Sequence, residues 1–400
     1  MTKHCREHWR RETCINKMTM QKIPPNTSIW LNVMRALAAQ AVVIGHANYL
    51  FFSYDNASGN KLAWLMSFFG SGAHKAVVMF FVMSGFLIGG PVILAWRSNT
   101  FDATKYFVGR LTRLWIVILP ALLLTALLDG VAFQYGNGAH LLSSRVPFFP
   151  EWWASIEPNS LRTFLFNVFF LQMIIGFQYG TNLSLWSISN EFWYYILLPA
   201  ALGIYSIERR TRLVFFAVTV GVILLFMSSA KPNDLGRPAA YFFMFILWIM
   251  GAILYVYYES KARRVISLTL FLLGLAAFVL FKIIYPDAFG YDLAMAFFAL
   301  SLIAIAKDVP AARLKKFADF FSNYSFSLYA LHLPLTFFLL SFDPELSEMQ
   351  ALRGDTLLRF FAYLLVINIA AIAMWALTER HTDKLRRFTL IRLAAFRPAR

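Results

Sequence analysis

Residues 35–46 read RALAAQAVVIGH and lie inside an apolar run from about Trp30 to Phe52. A run of that length with so few charges is long enough to cross a bilayer as a helix. The arginine and histidine that bound the stretch are eleven residues apart. That is about three whole turns, so both project from one face, roughly 16 Å apart along the axis. Ionisable groups at that depth are costly. One reading gives the arginine a buried ion partner and satisfies the histidine in the core. The other makes both functional, which is the default for ionisable groups inside a membrane.

Composition extends the membrane reading to the whole chain. Of 400 residues, 59% are hydrophobic, 17% aromatic and 14% charged, and 41 are phenylalanine; mean hydropathy is +0.58. An ordinary soluble domain is excluded, and the class implied is an all-α polytopic membrane protein. In a soluble protein a net charge of +16 would suggest nucleic acid. Here Lys and Arg concentrate in cytoplasmic loops and set orientation, so no nucleic-acid partner is expected. The two cysteines, Cys5 and Cys14, lie in a basic N-terminal tail and make no disulfide framework. His4, Cys5, His8 and Cys14 fit no common zinc spacing, and no metal site is expected.

Residues 1–28 form that cytosolic tail, 29–379 the transmembrane domain, and 380–400 a second basic tail. Apolar runs occur at about 30–52, 74–96, 114–133, 161–175, 185–205, 213–230, 239–258, 265–284, 290–306, 322–342 and 357–378. If all eleven crossed, Arg209, Arg210 and Arg212 would fall outside, and so would Lys261, Arg263 and Arg264, against the positive-inside rule. The run 161–175 is also short for a span. As a re-entrant or interfacial helix on the outer side, it corrects the sign of every later loop. The expectation is therefore about ten transmembrane helices with both termini cytosolic. The outer segment 134–184, with Phe148, Phe149, Trp152 and Trp153, suits a cap at headgroup level.

On this topology Arg35 faces the cytosolic half, while His46, roughly 24 Å from Trp30, faces the outer half. A neutral histidine can take a proton from a hydroxyl. In MFFVMSGFLIGG (79–90), Ser84 and the glycines allow close approach of another helix or of a ligand. Arg110 and Arg113, three apart in GRLTRLW, put two guanidinium forks on one face, which suits phosphates and equally suits a positive-inside anchor. In SLWSISNEFWYYILLP (184–199), Glu191 needs a partner, for which His46 is suitably deep, and Ser184, Trp186, Ser187 and Asn190 add hydrogen-bonding groups. In NYSFSLYALHLPL (323–335), His332 either serves the backbone freed by Pro334 or joins a site.

Taken in order, Arg35 with His46, FFVMSGFLI, Arg110 with Arg113, LWSISNEFWYYILLP, YSFSLYALHLPL and ALTERHTDKLRR resemble the signature of acyltransferase family 3 membrane proteins. The resemblance covers about residues 30–388. It implies about ten membrane helices in the inner (plasma) membrane and transfer of an acyl group, usually acetyl, from cytosolic acyl-CoA. The acceptor it implies is a hydroxyl of an extracytoplasmic or lipid-linked carbohydrate. No permanently bound cofactor is implied, and a homodimer is left open. By motif, His46 is the essential histidine, Arg35 its paired arginine, and Arg110 and Arg113 the donor-binding pair. Glu191 orients His46, and Ser84, Asn190, Trp186 and His332 stand as further binding residues. The family's common WSLSVEEQF reads WSISNEFW here, with Phe192 where a second acid is frequent. The esterase-like domain that some members carry after the membrane domain is not expected. The rival class is a transporter or flippase of a lipid-linked sugar, which would leave the thioester intact. Such folds often show paired repeats and matched broken helices, and neither is visible in this sequence.

Overall fold

The computed structural model describes residues 23–52, 61–70, 72–145, 158–172, 174–204, 209–227, 236–258, 263–284, 289–343, 349–350 and 353–395. The N-terminal cysteines and the expected aromatic cap at 148–153 lie outside the described residues. Among those described the chain is helical, and its only β contacts are isolated bridges between Phe52 and Gln350 and between Gln172 and Gly176.

The helices are α1 (Pro25–Phe51), α2 (Lys61–Gly70), α3 (Ala73–Ser84), a π-helix (Gly85–Gly89), α4 (Gly90–Arg97), α5 (Ala103–Tyr135), α6 (Gly138–Arg145), α7 (Leu161–Val168) and α8 (Trp186–Gly203). They continue with α9 (Arg209–Met227), α10 (Gly236–Val256), α11 (Arg263–Ile284), α12 (Phe289–Ile305), α13 (Lys315–Asn323), α14 (Ser325–Ser341), α15 (Gly354–Leu377) and α16 (Thr382–Ala395). Every apolar run in the sequence overlaps one of them. Pro24 and Pro25 start α1, where a missing N–H costs nothing. Asp102 caps α5 by accepting from the Lys105 N–H at 3.0 Å.

Pro25–Phe51, Met66–Arg97, Ala103–Tyr135 and Gly354–Ala395 are long and apolar enough to cross a membrane. Ala312–Asn323 and Ser325–Ser341, bent by 47°, make a fifth crossing if taken together. By length and composition alone that is fewer than the expected ten, because apolar stretches such as Thr211–Leu224, Ala240–Val256 and Gly290–Ile305 are shorter. In the run 161–175, α7 stops at Val168. Phe170 takes φ 59°, and Asn167 ties the chain back by donating to the Phe177 carbonyl at 2.9 Å and accepting from the Tyr179 N–H at 3.2 Å.

Two contacts fix the helices that matter for the site. Between α1 and α3, a Cβ on Gly45 would lie 2.8 Å from the Ala73 Cβ and 2.7 Å from the Gly70 carbonyl. Between the π-helix and α10, a Cβ on Gly85 would lie 1.7 Å from the Trp248 carbonyl, and one on Gly251 would lie 2.1 Å from the Val82 carbonyl. These glycines let backbones touch, as packing inside a membrane favours. The entry to α8 is held from α5, where buried Asp129 accepts from the Thr181 N–H at 2.9 Å and from its hydroxyl at 2.6 Å.

Candidate active site

A cavity of about 140 Å³ opens between α1, α3, α5, α8 and α14. Arg35, Ser84, Arg110, Arg113, Glu191 and Tyr329 supply its polar wall, and Val77, Phe80 and Phe81 much of the apolar one. Thus six side chains singled out in four separate motifs, Arg35, Ser84, Arg110, Arg113, Ser187 and Glu191, share one space. His46, His332, Trp186 and Asn190 are not in its wall.

Glu191 is held by its own side of the bundle. Its Oε1 accepts from the Ser84 hydroxyl at 2.5 Å and from the Tyr195 hydroxyl one turn along α8 at 2.6 Å. Ser84 in turn accepts from Trp248 Nε1 at 3.0 Å, so the glycine contact with α10 also positions the carboxylate. This differs from the expected pairing with His46, because Glu191 shares the cavity level of Ser84 rather than that of the histidine. The π-helix begins directly after Ser84, the kind of irregularity that recurs at functional sites.

The arginines are unevenly partnered. Arg113 lies 3.6 Å from Glu379, whose other oxygen accepts from the Ser327 hydroxyl at 2.9 Å and its N–H at 3.2 Å. Glu379 belongs to the ALTERH stretch, yet nothing in its sequence position reveals that it anchors Arg113. Arg110 stands over the Tyr195 ring. Among the described residues neither Arg110 nor Arg35 makes an ion pair or a hydrogen bond within reach. Three guanidiniums with Glu191 and Glu379 leave one positive charge in excess if all are ionised. Two unpaired guanidiniums lining a cavity at membrane depth call for an anion.

Tyr329 separates this cavity from the histidines. Its hydroxyl donates to the Ser184 carbonyl at 3.0 Å and lies 2.6 Å from the Ser187 hydroxyl. Its carbonyl accepts from His332 Nδ1 at 2.7 Å. His332 Nε2 then lies 2.8 Å from His46 Nδ1. Because a carbonyl can only accept, His332 carries its proton on Nδ1 and Nε2 must accept, so His46 donates from Nδ1. When His46 is neutral, its lone pair is therefore on Nε2, which has no partner among the described residues. The carbonyl freed by Pro334 is that of Ala330, and Asn182 Nδ2 takes it at 2.8 Å. His332 therefore serves His46 rather than the proline.

Two expected binding residues lie elsewhere. Asn190 is buried, and its Oδ1 has no hydrogen-bond partner among the described residues. Trp186 stacks on His74, with ring centroids 5.8 Å apart and planes 17° from parallel. Sequence reasoning had passed over His74. Among the described residues no group of His, Cys, Asp and Glu is arranged to hold a metal ion.

Residues 28–379 match the model of a family described as an acyltransferase domain. An uncharacterized protein of Haemophilus influenzae is 25% identical over 203 residues, which are 47% of this chain and 77% of the relative. No solved structure matches.

Proposed function

The chain belongs to acyltransferase family 3, and from that premise we propose a multi-pass O-acyltransferase of the inner membrane. It would move an acyl group, acetyl first among them, from cytosolic acyl-CoA to a hydroxyl of an extracytoplasmic or lipid-linked carbohydrate. The observation that carries this reading is an arginine-lined cavity with two unpaired guanidiniums, separated by Tyr329 from a hydrogen-bonded histidine pair.

In this reading the Trp30 end faces the cytosol. In support, cationic segments gather there. Trp30 Nε1 donates to the Val309 carbonyl at 3.1 Å, beside Lys307, Arg313, Lys315 and Lys316, and a Cβ on Gly109 would meet Arg386 of α16 at 3.7 Å. Such a cluster favours the cytosolic side. Coenzyme A phosphates meet Arg110 and Arg113, Arg35 draws the donor inward, and the acyl end reaches past Tyr329.

His46 Nε2 takes the proton of the acceptor hydroxyl as its oxygen attacks the thioester carbonyl carbon. The tetrahedral adduct collapses with cleavage of the C–S bond, and the imidazolium returns the proton to the leaving thiolate. While His46 is charged, its Nδ1–H bond to His332 becomes charge-assisted and stronger. The test supplies membranes with acetyl-labelled acetyl-CoA and a carbohydrate acceptor. Wild type is expected to transfer label and His46→Ala to fail. Undiminished transfer by His46→Ala removes His46 from the mechanism, and a thioester left intact by wild type supports a transporter instead.

A further inference from the structure

α1 and α3 run antiparallel, and the Gly45–Ala73 contact sets their register. On α3, His74, Val77, Phe81 and Ser84 follow at intervals of three, four and three, the spacing of a single helix face. Val77, Phe81 and Ser84 line the donor cavity. Ten residues put His74 about 15 Å above Ser84, just as Arg35 and His46 span about 16 Å on α1. The two helices therefore pair Arg35 with Ser84 at the lower level and His46 with His74 at the upper one.

His74 is held as an oriented imidazole. Its Nε2 lies 3.1 Å from Asp292 Oδ2. Asp292, buried in the first turn of α12, also accepts from Lys75 Nζ at 2.8 Å, and Lys75 lies over the Tyr291 ring, 4.4 Å from its centroid. The lysine keeps Asp292 ionised, so the carboxylate can only accept, and His74 donates from Nε2. In the neutral ring Nδ1 then carries the lone pair, and it has no partner among the described residues. The His74 side chain is 43% exposed, whereas His332 is fully buried. His332 is thus committed inward behind His46, whereas the His74 side chain remains accessible.

We propose that His74, held by Asp292 and Lys75, is an acceptor-binding residue. Its Nδ1 accepts a hydrogen bond from a hydroxyl next to the one that is acylated, and so fixes which hydroxyl meets His46. The acceptors this selects are polyols with neighbouring hydroxyls. The proposal rests on the acyltransferase reading above.

The test uses proteoliposomes of the full chain, acetyl-CoA, and cell-envelope glycan extracted from the protein's own cells. His74→Phe keeps a ring on Trp186 and removes the accepting nitrogen; His74→Gln retains an accepting oxygen. For His74→Phe the acceptor KM is expected to rise about tenfold, the cost of one hydrogen bond. The KM for acetyl-CoA stays unchanged, and NMR shows acetyl esters spread over several ring positions instead of one. His74→Gln recovers most of the acceptor KM. An unchanged acceptor KM with one ester position in His74→Phe overturns the proposal, as does an equal rise of both KM values. Should His74→Phe fail to fold, a tenfold rise in the acceptor KM with scattered esters in His74→Gln overturns it, and near-wild-type values support it. No transfer by wild type defeats the acyltransferase reading itself and takes the proposal with it.

Discussion

His46 and His332 lie edge to edge in one plane. Their Nδ1 and Nε2 are 2.8 Å apart, the ring centroids 5.1 Å apart and the planes only 4° from parallel. A nitrogen contact that short at that centroid separation is a hydrogen bond along the ring edges, not a face-to-face stack. The geometry aims His46 Nε2 away from His332 and fixes the tautomer that can act as a base.

His332 is therefore expected to matter through orientation rather than contact with substrate. His332→Ala leaves His46 free to rotate and removes the acceptor of its Nδ1 proton. A hydrogen bond to a group that becomes charged contributes about 1.5–3 kcal/mol, so kcat should fall about 10- to 100-fold. The KM for acetyl-CoA should be unchanged, because the donor cavity lies beyond Tyr329. Steady-state kinetics with varied acetyl-CoA measure both, and a KM effect without a kcat effect would contradict the assignment.

Arg35 and Arg110 test the anion requirement separately from the chemistry. Arg110→Gln and Arg35→Gln remove charges that make no ion pair among the described residues, so the fold should tolerate them. On the proposed reading coenzyme A should stabilise wild type by binding only the folded state, and most of that stabilisation should be lost in Arg110→Gln. Thermal unfolding in detergent with and without coenzyme A reads this directly. Arg113→Gln should differ, since it also strands Glu379 in a buried position and lowers the melting temperature without ligand.

Much of this arrangement was legible in the sequence, and the unread part has a common cause. The helices follow from apolar runs bounded by charge. The depth of Arg35 and the facing of Arg110 with Arg113 follow from counting turns, because both are properties of one helix. Partners across helices do not follow from counting. Glu191 meets Ser84 because the π-helix and the Gly85 contact with Trp248 set the rotation of α3, and no residue near 191 encodes that. Asp292 reaches His74 and Lys75 from more than two hundred residues away. Asn182, not His332, answers the carbonyl left open by Pro334, since a loop pinned by Asp129 delivers it there.

Gly85 should be the least replaceable of these contacts. Gly85→Ala places a methyl group 1.7 Å from the Trp248 carbonyl, which is backbone and cannot turn aside. The helices must separate, at a cost of about 3 kcal/mol or more from overpacking. Separation also breaks the Trp248–Ser84 bond, so activity should fall with stability. Gly130, with nothing within 4 Å of its added Cβ, is the control: Gly130→Ala should keep both. Melting temperatures in detergent beside transfer rates distinguish the two.

Pro199 offers a double-mutant test of how the bundle repairs its own breaks. Lacking an N–H, Pro199 leaves the Tyr195 carbonyl without its helical partner, and the Tyr106 hydroxyl donates to that carbonyl at 3.2 Å. Tyr106→Phe should then strand a buried acceptor and cost about 1–3 kcal/mol. Pro199→Ala restores the N–H, so Tyr106→Phe added to Pro199→Ala should cost clearly less than it does alone. The cost of the double mutant less the summed costs of the single ones, read from the four melting curves, should be negative by about 1 kcal/mol, within the range found for residues sharing one hydrogen-bond network. Strict additivity would mean that the tyrosine serves another purpose. Because the Tyr195 hydroxyl also donates to Glu191, transfer rates should track the coupling: Tyr106→Phe loosens the residue that holds the carboxylate, and the restored helix bond tightens it again.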